Sequence, residues 1–326
     1  MAIERVKPKL VFVHGIGGRR DAQAELTDWK RALAEGARES GYASEISALT
    51  ADWSADCSFA YYGDLFASDR QPQGSAGAEG LDGDQAEIVL GLLEEFLSEL
   101  AVLPAHRDNR RLARIRAQVR PDGEAQGIGN AGRHLSSLLA AVASVPGLSW
   151  GARKLSQREL LGILSQPGRY LRRAESDESG RTLDQRIRER VLDCLDPGRP
   201  TIVVAHSLGT VVALEALAEY RGPVELFVTV GSPIAMRGFI WPLLRPRPPA
   251  TPESVAAWLD FRDGDDVIVP KRRLADVVAP NTAGVQPVPD RLESALFWSH
   301  NATTYLRRQE IAKPVMETLT AWTARS

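Results

Sequence analysis

A serine framed by small residues stands at Ala205-His206-Ser207-Leu208-Gly209, directly after the apolar run Thr201-Ile202-Val203-Val204. A strand that turns sharply at a serine and continues as a helix lifts the hydroxyl above the sheet, where it can act as a nucleophile. Small residues are needed at 205 and 209 because neighbouring backbone approaches closely there. Ala205 occupies the place where the commoner pattern has Gly, and its methyl still meets that demand. A second segment, His14-Gly15-Ile16-Gly17-Gly18, follows the run Leu10–Val13. Glycines let such a loop turn its amides inward, and acyl transfer needs pre-aimed N–H donors for a tetrahedral oxyanion. The expected donors are the amides of Ile16 and Leu208. His14, Gly15, Gly17, His206 and Gly209 are expected to shape the turns around them. Either motif alone is also compatible with an ordinary structural turn, and it is the pair that points to acyl transfer.

A serine nucleophile requires a general base and an acid that orients it. The chain has five histidines. His14 sits in the glycine loop, His206 adjoins the nucleophile, and His106 and His134 fall in a region of different character. His300, in Trp298-Ser299-His300-Asn301, is left, and it follows the serine, in keeping with the chain order nucleophile, acid, base of folds that carry their serine on such a strand–turn–helix. The acid is expected between them after a strand. Trp258–Arg262 leads into Asp263-Gly264-Asp265-Asp266, so the candidates are Asp263, Asp265 and Asp266.

These groups need a scaffold. Short runs apolar on both faces, at Leu10–Val13, Thr201–Ala205 and Val224–Val230, suit strands buried in a parallel sheet. Ser58–Tyr62 and Ala256–Arg262 read as further strands, and Val285–Val288 as a short one. Helices are expected at Leu26–Arg38, Leu183–Leu195, Leu208–Tyr220, Asn301–Arg308 and Val315–Thr323. Alternating strands and helices argue for a parallel sheet covered on both faces. Between about Asp69 and Gly180 the character changes. Amphipathic helices are expected at Ile88–Leu103, His106–Arg120 and Leu135–Val145, with a further one at Leu155–Leu171 interrupted at Pro167. The five prolines of Pro242–Pro252 mark a loop. Tyr61, Tyr62 and Asp64 follow a strand end and either line the pocket or simply close the turn.

Composition excludes other classes. The 326 residues are 44% apolar and 25% charged, enough chain for a large core without metal or disulfide staples. A net charge of −2 gives no footprint for nucleic acid. Two cysteines, Cys57 and Cys194, suit a reducing, cytoplasmic setting. No apolar run is long enough for a membrane span. The arginines of His106–Arg120 read first as a solvated face, with anionic head groups the other reading and peripheral membrane contact its consequence. Gly127-Ile-Gly129-Asn-Ala-Gly132 spells a dinucleotide fingerprint, but the turn Arg120–Gly123 precedes it where a strand is required.

Taken together, the His14–Gly18 loop and the Ala205–Gly209 turn resemble the lipase and esterase branch of the α/β-hydrolase superfamily. The resemblance covers roughly residues 9–66 and 181–310. Asp266 precedes Val267-Ile268-Val269-Pro270, which is similar to the acid loop of many hydrolases and favours Asp266 over Asp263. The family implies a mostly parallel, doubly wound sheet with core residues 1–66 and 181–326 and a helical cap insertion at 67–180. It implies a Ser207–His300–Asp266 triad that cleaves carboxylic esters, with a small-molecule or lipid-like ester as substrate. No metal and no organic cofactor follow from it. A thioesterase or serine peptidase would use the same groups, and a non-catalytic binding protein on this scaffold is the reading from a different class.

Overall fold

The computed structural model describes residues 7–17, 20–47, 54–66, 83–102, 109–119, 134–135, 137–138, 141, 157–264, 266, 269, 272–292 and 300–325. Six strands form one sheet: β1 (Lys9–Val13), β2 (Asp56–Ala60), β3 (Thr201–His206), β4 (Val224–Val230), β5 (Trp258–Asp263) and β6 (Val288–Leu292). Their order is β2-β1-β3-β4-β5-β6, and every pairing is parallel. The continuous apolar runs β1, β3 and β4 occupy the middle of the sheet, where both faces are covered.

Side-chain alternation along the strands divides the core in two. Leu10, Phe12, Ile202, Val204 and Val228 meet helix α1 (Ala22–Glu39) and the C-terminal helix α8 (Gln309–Arg325), through Trp29, Leu33, Ile311 and Val315. Val11, Val13, Val203, Ala205 and Phe227 meet helices α5 (Leu183–Leu192) and α6 (Leu208–Glu219), through Ile187, Val211 and Leu214. Helix α6 is buried on nearly every side, so it reads as an all-round apolar segment rather than a striped one. Asp21 caps α1, its carboxylate accepting from the amides of Gln23 and Ala24. A short helix, α7 (Ala302–Leu306), precedes α8.

Between β2 and α5 the described residues include three longer helices: α2 (Gly83–Val102), α3 (Arg110–Val119) and α4 (Gln157–Arg172). Helix α2 packs against α3 and α4. Leu112, Ile115 and Val119 form the buried stripe of α3. Contrary to expectation, α4 runs unbroken through Pro167. A proline removes one helical N–H bond, but the following turn is anchored: Tyr170 and Leu171 are fully buried against the sheet's α5–α6 face. The last strand lies at 288–292 rather than 285–288. It is an edge strand with exposed Val288, Asp290 and Arg291, so its sequence carries little apolar signal, and an edge tolerates its proline. His106, Asp265, the Gly127–Gly132 segment and most of the expected Leu135–Val145 helix lie outside the described residues. No helix among the described residues is long and apolar enough to cross a membrane.

Candidate active site

The β3–α6 junction places Ser207 at the carboxyl end of the central strand. Its φ is +53°, a value rare for a residue with a side chain. Such strain costs roughly 1–3 kcal/mol and persists only where the surroundings enforce it. They do so here. The Ser207 amide donates to Val230 O at 3.2 Å. Its carbonyl accepts from both the amide and the hydroxyl of Thr210, at 2.9 and 2.7 Å. That hydroxyl also meets Ser232 Oγ at 2.9 Å.

His300, Asp266 and Ser207 form one hydrogen-bonded chain. His300 Nε2 lies 2.8 Å from Ser207 Oγ, and His300 Nδ1 lies 2.7 Å from Asp266 Oδ2. With an anionic acceptor at Nδ1, that nitrogen carries the proton and Nε2 is left as an acceptor toward the serine. Of the two candidate acids among the described residues, Asp263 and Asp266, it is Asp266 that meets His300. Asp263 ends β5 and is buried, and its carbonyl accepts the Asp266 amide at 3.2 Å. It shapes the acid turn from within.

Two residues missed in the sequence hold this chain in place. The Tyr305 hydroxyl donates to Asp266 Oδ2 at 2.7 Å and accepts from the Asp263 amide at 3.1 Å. Burial, followed by the nearby Asp266 charge, raises the Tyr305 pKa well above its ordinary value, so the phenol keeps its proton. Gly231 has φ +60°, and a Cβ there would lie 3.3 Å from Asp266 Oδ2 and from the His300 ring. Glycine meets both constraints at once.

The loop after β1 packs directly against the serine turn. A Cβ at Gly15 would fall 2.6 Å from Ser207 Cβ. One at Gly209 would fall 2.2 Å from the His14 carbonyl oxygen. The sequence therefore has glycine where two backbones touch. The Leu208 amide opens α6, where a helical N–H has no partner within the helix, and Ile16 belongs to the loop whose Gly15 abuts this turn. His14 is buried: its Nε2 accepts from the Tyr62 amide at 3.0 Å, and the Tyr62 hydroxyl donates to its carbonyl. Tyr62 thus sets the loop rather than closing a passive turn. Burial above all, then the positive charge of Arg20, brings the His14 pKa down to about 3. Burial likewise pushes His206 well below the usual histidine range, helped by neighbouring His300. Its ring centroid is 4.7 Å from that of His300. Both histidines are uncharged walls at neutral pH.

A cavity of about 340 Å³ opens beside His300 and the loop after β1, lined in part by His14, Ile16, Arg20, Glu25, His206 and His300. Arg20 pairs with Glu25 at 3.1 Å on its wall.

A family model for the alpha/beta hydrolase family matches residues 145–324, more than half of the chain. This chain belongs to that family. No curated protein and no solved structure matches it.

Proposed function

We propose that this hydrolase cleaves carboxylic esters through an acyl-enzyme. The observation that carries the reading is the Asp266–His300–Ser207 chain, with bonds of 2.7 and 2.8 Å ending on a serine held at positive φ. Ser207 Oγ attacks the substrate carbonyl carbon while His300 Nε2 takes its proton. Asp266 keeps Nδ1–H in place and stabilises the imidazolium. The oxyanion that forms is met by the amides of Ile16 and Leu208. The C–O bond of the ester breaks, and the alcohol leaves with the proton held by His300. Water then attacks the acyl-serine, giving its proton to His300, and the carboxylic acid departs as Ser207 recovers its hydrogen.

The insertion at 67–180 is proposed as a cap over this site. An apolar acyl group would rest against it, in keeping with a lipid-like substrate. The cavity wall formed by Arg20, Glu25 and the histidines is polar, and it suits the alcohol side of such an ester. The test is pre-steady-state turnover of p-nitrophenyl esters of increasing acyl length, beside matched thioesters and peptide anilides. A burst of nitrophenol approaching one equivalent, with esters turned over fastest, is expected. Faster turnover of thioesters or anilides would move the assignment to those bonds, and selective turnover of acetyl esters would exclude a lipid-like acyl group.

A further inference from the structure

The oxyanion loop is gripped from outside the core. Gln166, on α4, is buried and turns its carboxamide onto a single residue of the loop. Its Oε1 accepts from the Gly17 amide at 3.0 Å, and its Nε2 donates to the Gly17 carbonyl at 3.1 Å. The two residues are 149 positions apart. One donor and one acceptor on the same residue fix the peptide planes on both of its sides. At the other end of the loop, the Tyr62 hydroxyl holds the His14 carbonyl and Gly15 abuts Ser207 Cβ. Ile16 lies between these two pins.

Such a double grip has a physical purpose. A glycine-rich loop has wide conformational freedom and loses more of it on ordering than other sequences. An oxyanion donor acts only if it is aimed before the charge develops. Of the side chains of this length, only the carboxamide offers a donor and an acceptor together. A glutamate would set a carboxylate oxygen against the Gly17 carbonyl, and a leucine would release both ends.

We propose that Gln166 is a positioning residue that aims the Ile16 amide, so that helix α4 completes the oxyanion hole. This rests on the ester-hydrolase reading above. It makes the docking of α4 a condition for chemistry as well as for stability. Helix α4 is also attached three residues further on, where Arg169 Nη1 donates to Phe66 O at 2.7 Å without touching the loop.

That second attachment supplies the control. Wild type, Gln166→Leu, Gln166→Glu and Arg169→Gln are compared for kcat and KM on a p-nitrophenyl ester, for inhibition by a trifluoromethyl ketone, and for thermal midpoint. The ketone adds Ser207 and carries an oxyanion, so its affinity reports the hole. Removing an oxyanion donor outright costs about 10²–10³ in kcat, and releasing its support is expected to cost about 10–100-fold. KM is expected within about 3-fold, and ketone affinity to fall in step with kcat/KM, as for any group acting on the transition state. Arg169→Gln is expected to lower the midpoint without changing the ratio of ketone affinity to ester KM. Should Gln166→Leu fail to fold, Gln166→Glu keeps the length and polarity and carries the same expectation. The proposal is overturned if a folded Gln166 variant keeps wild-type kcat and ketone affinity, or if Arg169→Gln reproduces its kinetic effect. Because wild-type turnover is measured in the same series, failure of the ester reading itself appears separately, as absence of turnover in every sample.

Discussion

Gly209→Ala is the sharpest test of how the serine turn and the loop after β1 depend on each other. Gly209 is in the first turn of α6 and has an ordinary helical backbone, so alanine is conformationally acceptable there. Helix propensity alone would make the change favourable by about 1 kcal/mol. Sterics point the other way. The new methyl would sit 2.2 Å from the His14 carbonyl oxygen, 2.6 Å from the Val13 oxygen and 2.8 Å from the His14 carbonyl carbon. All three are backbone atoms of β1 and the loop, which cannot rotate aside as a side chain can. Relief requires the loop to retreat from Ser207 by roughly 1 Å, and a misplacement of that size costs about 100-fold in rate. Overpacking costs about 1–3 kcal/mol, so the steric term outweighs propensity and the net effect is destabilising. A thermal midpoint lowered by several degrees and a kcat lowered about 100-fold are expected. Differential scanning fluorimetry and p-nitrophenyl ester turnover measure both. Gly41→Ala is a useful contrast, because that glycine is at φ +95° with open space around it. Any loss there comes from backbone strain alone and should leave kcat intact. A Gly209→Ala enzyme with wild-type turnover would refute the close-approach argument.

Three further outcomes follow from the same geometry. Asp266→Asn removes the anionic acceptor at His300 Nδ1 and should lower kcat by about 10³–10⁴-fold, whereas Asp263→Asn should cost less than about tenfold, and steady-state kinetics on the two variants would expose a reversed assignment. Tyr305→Phe takes one hydrogen bond from Asp266 and one from the Asp263 amide. Two buried hydrogen bonds together are worth about 1–3 kcal/mol, so a lower urea midpoint together with a kcat reduced about tenfold is expected; an unchanged midpoint would mean that the phenol supports neither residue. Asp260 is buried on β5, where burial raises its carboxyl to about 7 even though the Thr229 hydroxyl donates to it at 2.7 Å. Its folded pKa therefore lies above the unfolded value near 3.8, so its contribution is fully present below about pH 4 and is lost as pH rises toward 7. Asp260→Asn should be level with wild type near pH 4 and gain on it up to about pH 7, by an amount on the order of a few kcal/mol. His14 acts in the opposite sense, its contribution being lost as pH falls from 6.5 toward 3, so the difference between variant and wild type isolates Asp260. Denaturation curves with a pH-independent difference would contradict the shifted carboxyl.

What the sequence carries about this molecule is what local chemistry encodes. Central strands β1, β3 and β4 are continuous apolar runs because both sheet faces are covered, and that burial is visible in their composition. The edge strand β6 has no such constraint, and its Val-Pro-Asp-Arg-Leu sequence was legible only as a displaced fragment. The glycine loop and the serine turn were legible because close backbone approach leaves glycine as a trace. His300 and Asp266 were reached through chain order and a resemblance to acid loops of hydrolases. Tyr305 and Gln166 left no local trace. A tyrosine in a short helix and a glutamine before a proline are ordinary in sequence, and they become informative only when the fold carries them 39 and 149 residues back to their partners. Pro167 misled for a related reason. The helix break it favours locally is overridden by burial of Tyr170 and Leu171 one turn later.

The central claim is that Ser207 is a nucleophile activated by His300. Intact-mass analysis after treatment with a fluorophosphonate measures this most directly. Wild type should gain one phosphonyl adduct, mapped to Ser207 by peptide sequencing. Ser207→Ala should gain none, and His300→Ala should react far more slowly. An unmodified wild type, or an adduct that persists in Ser207→Ala, would contradict the account.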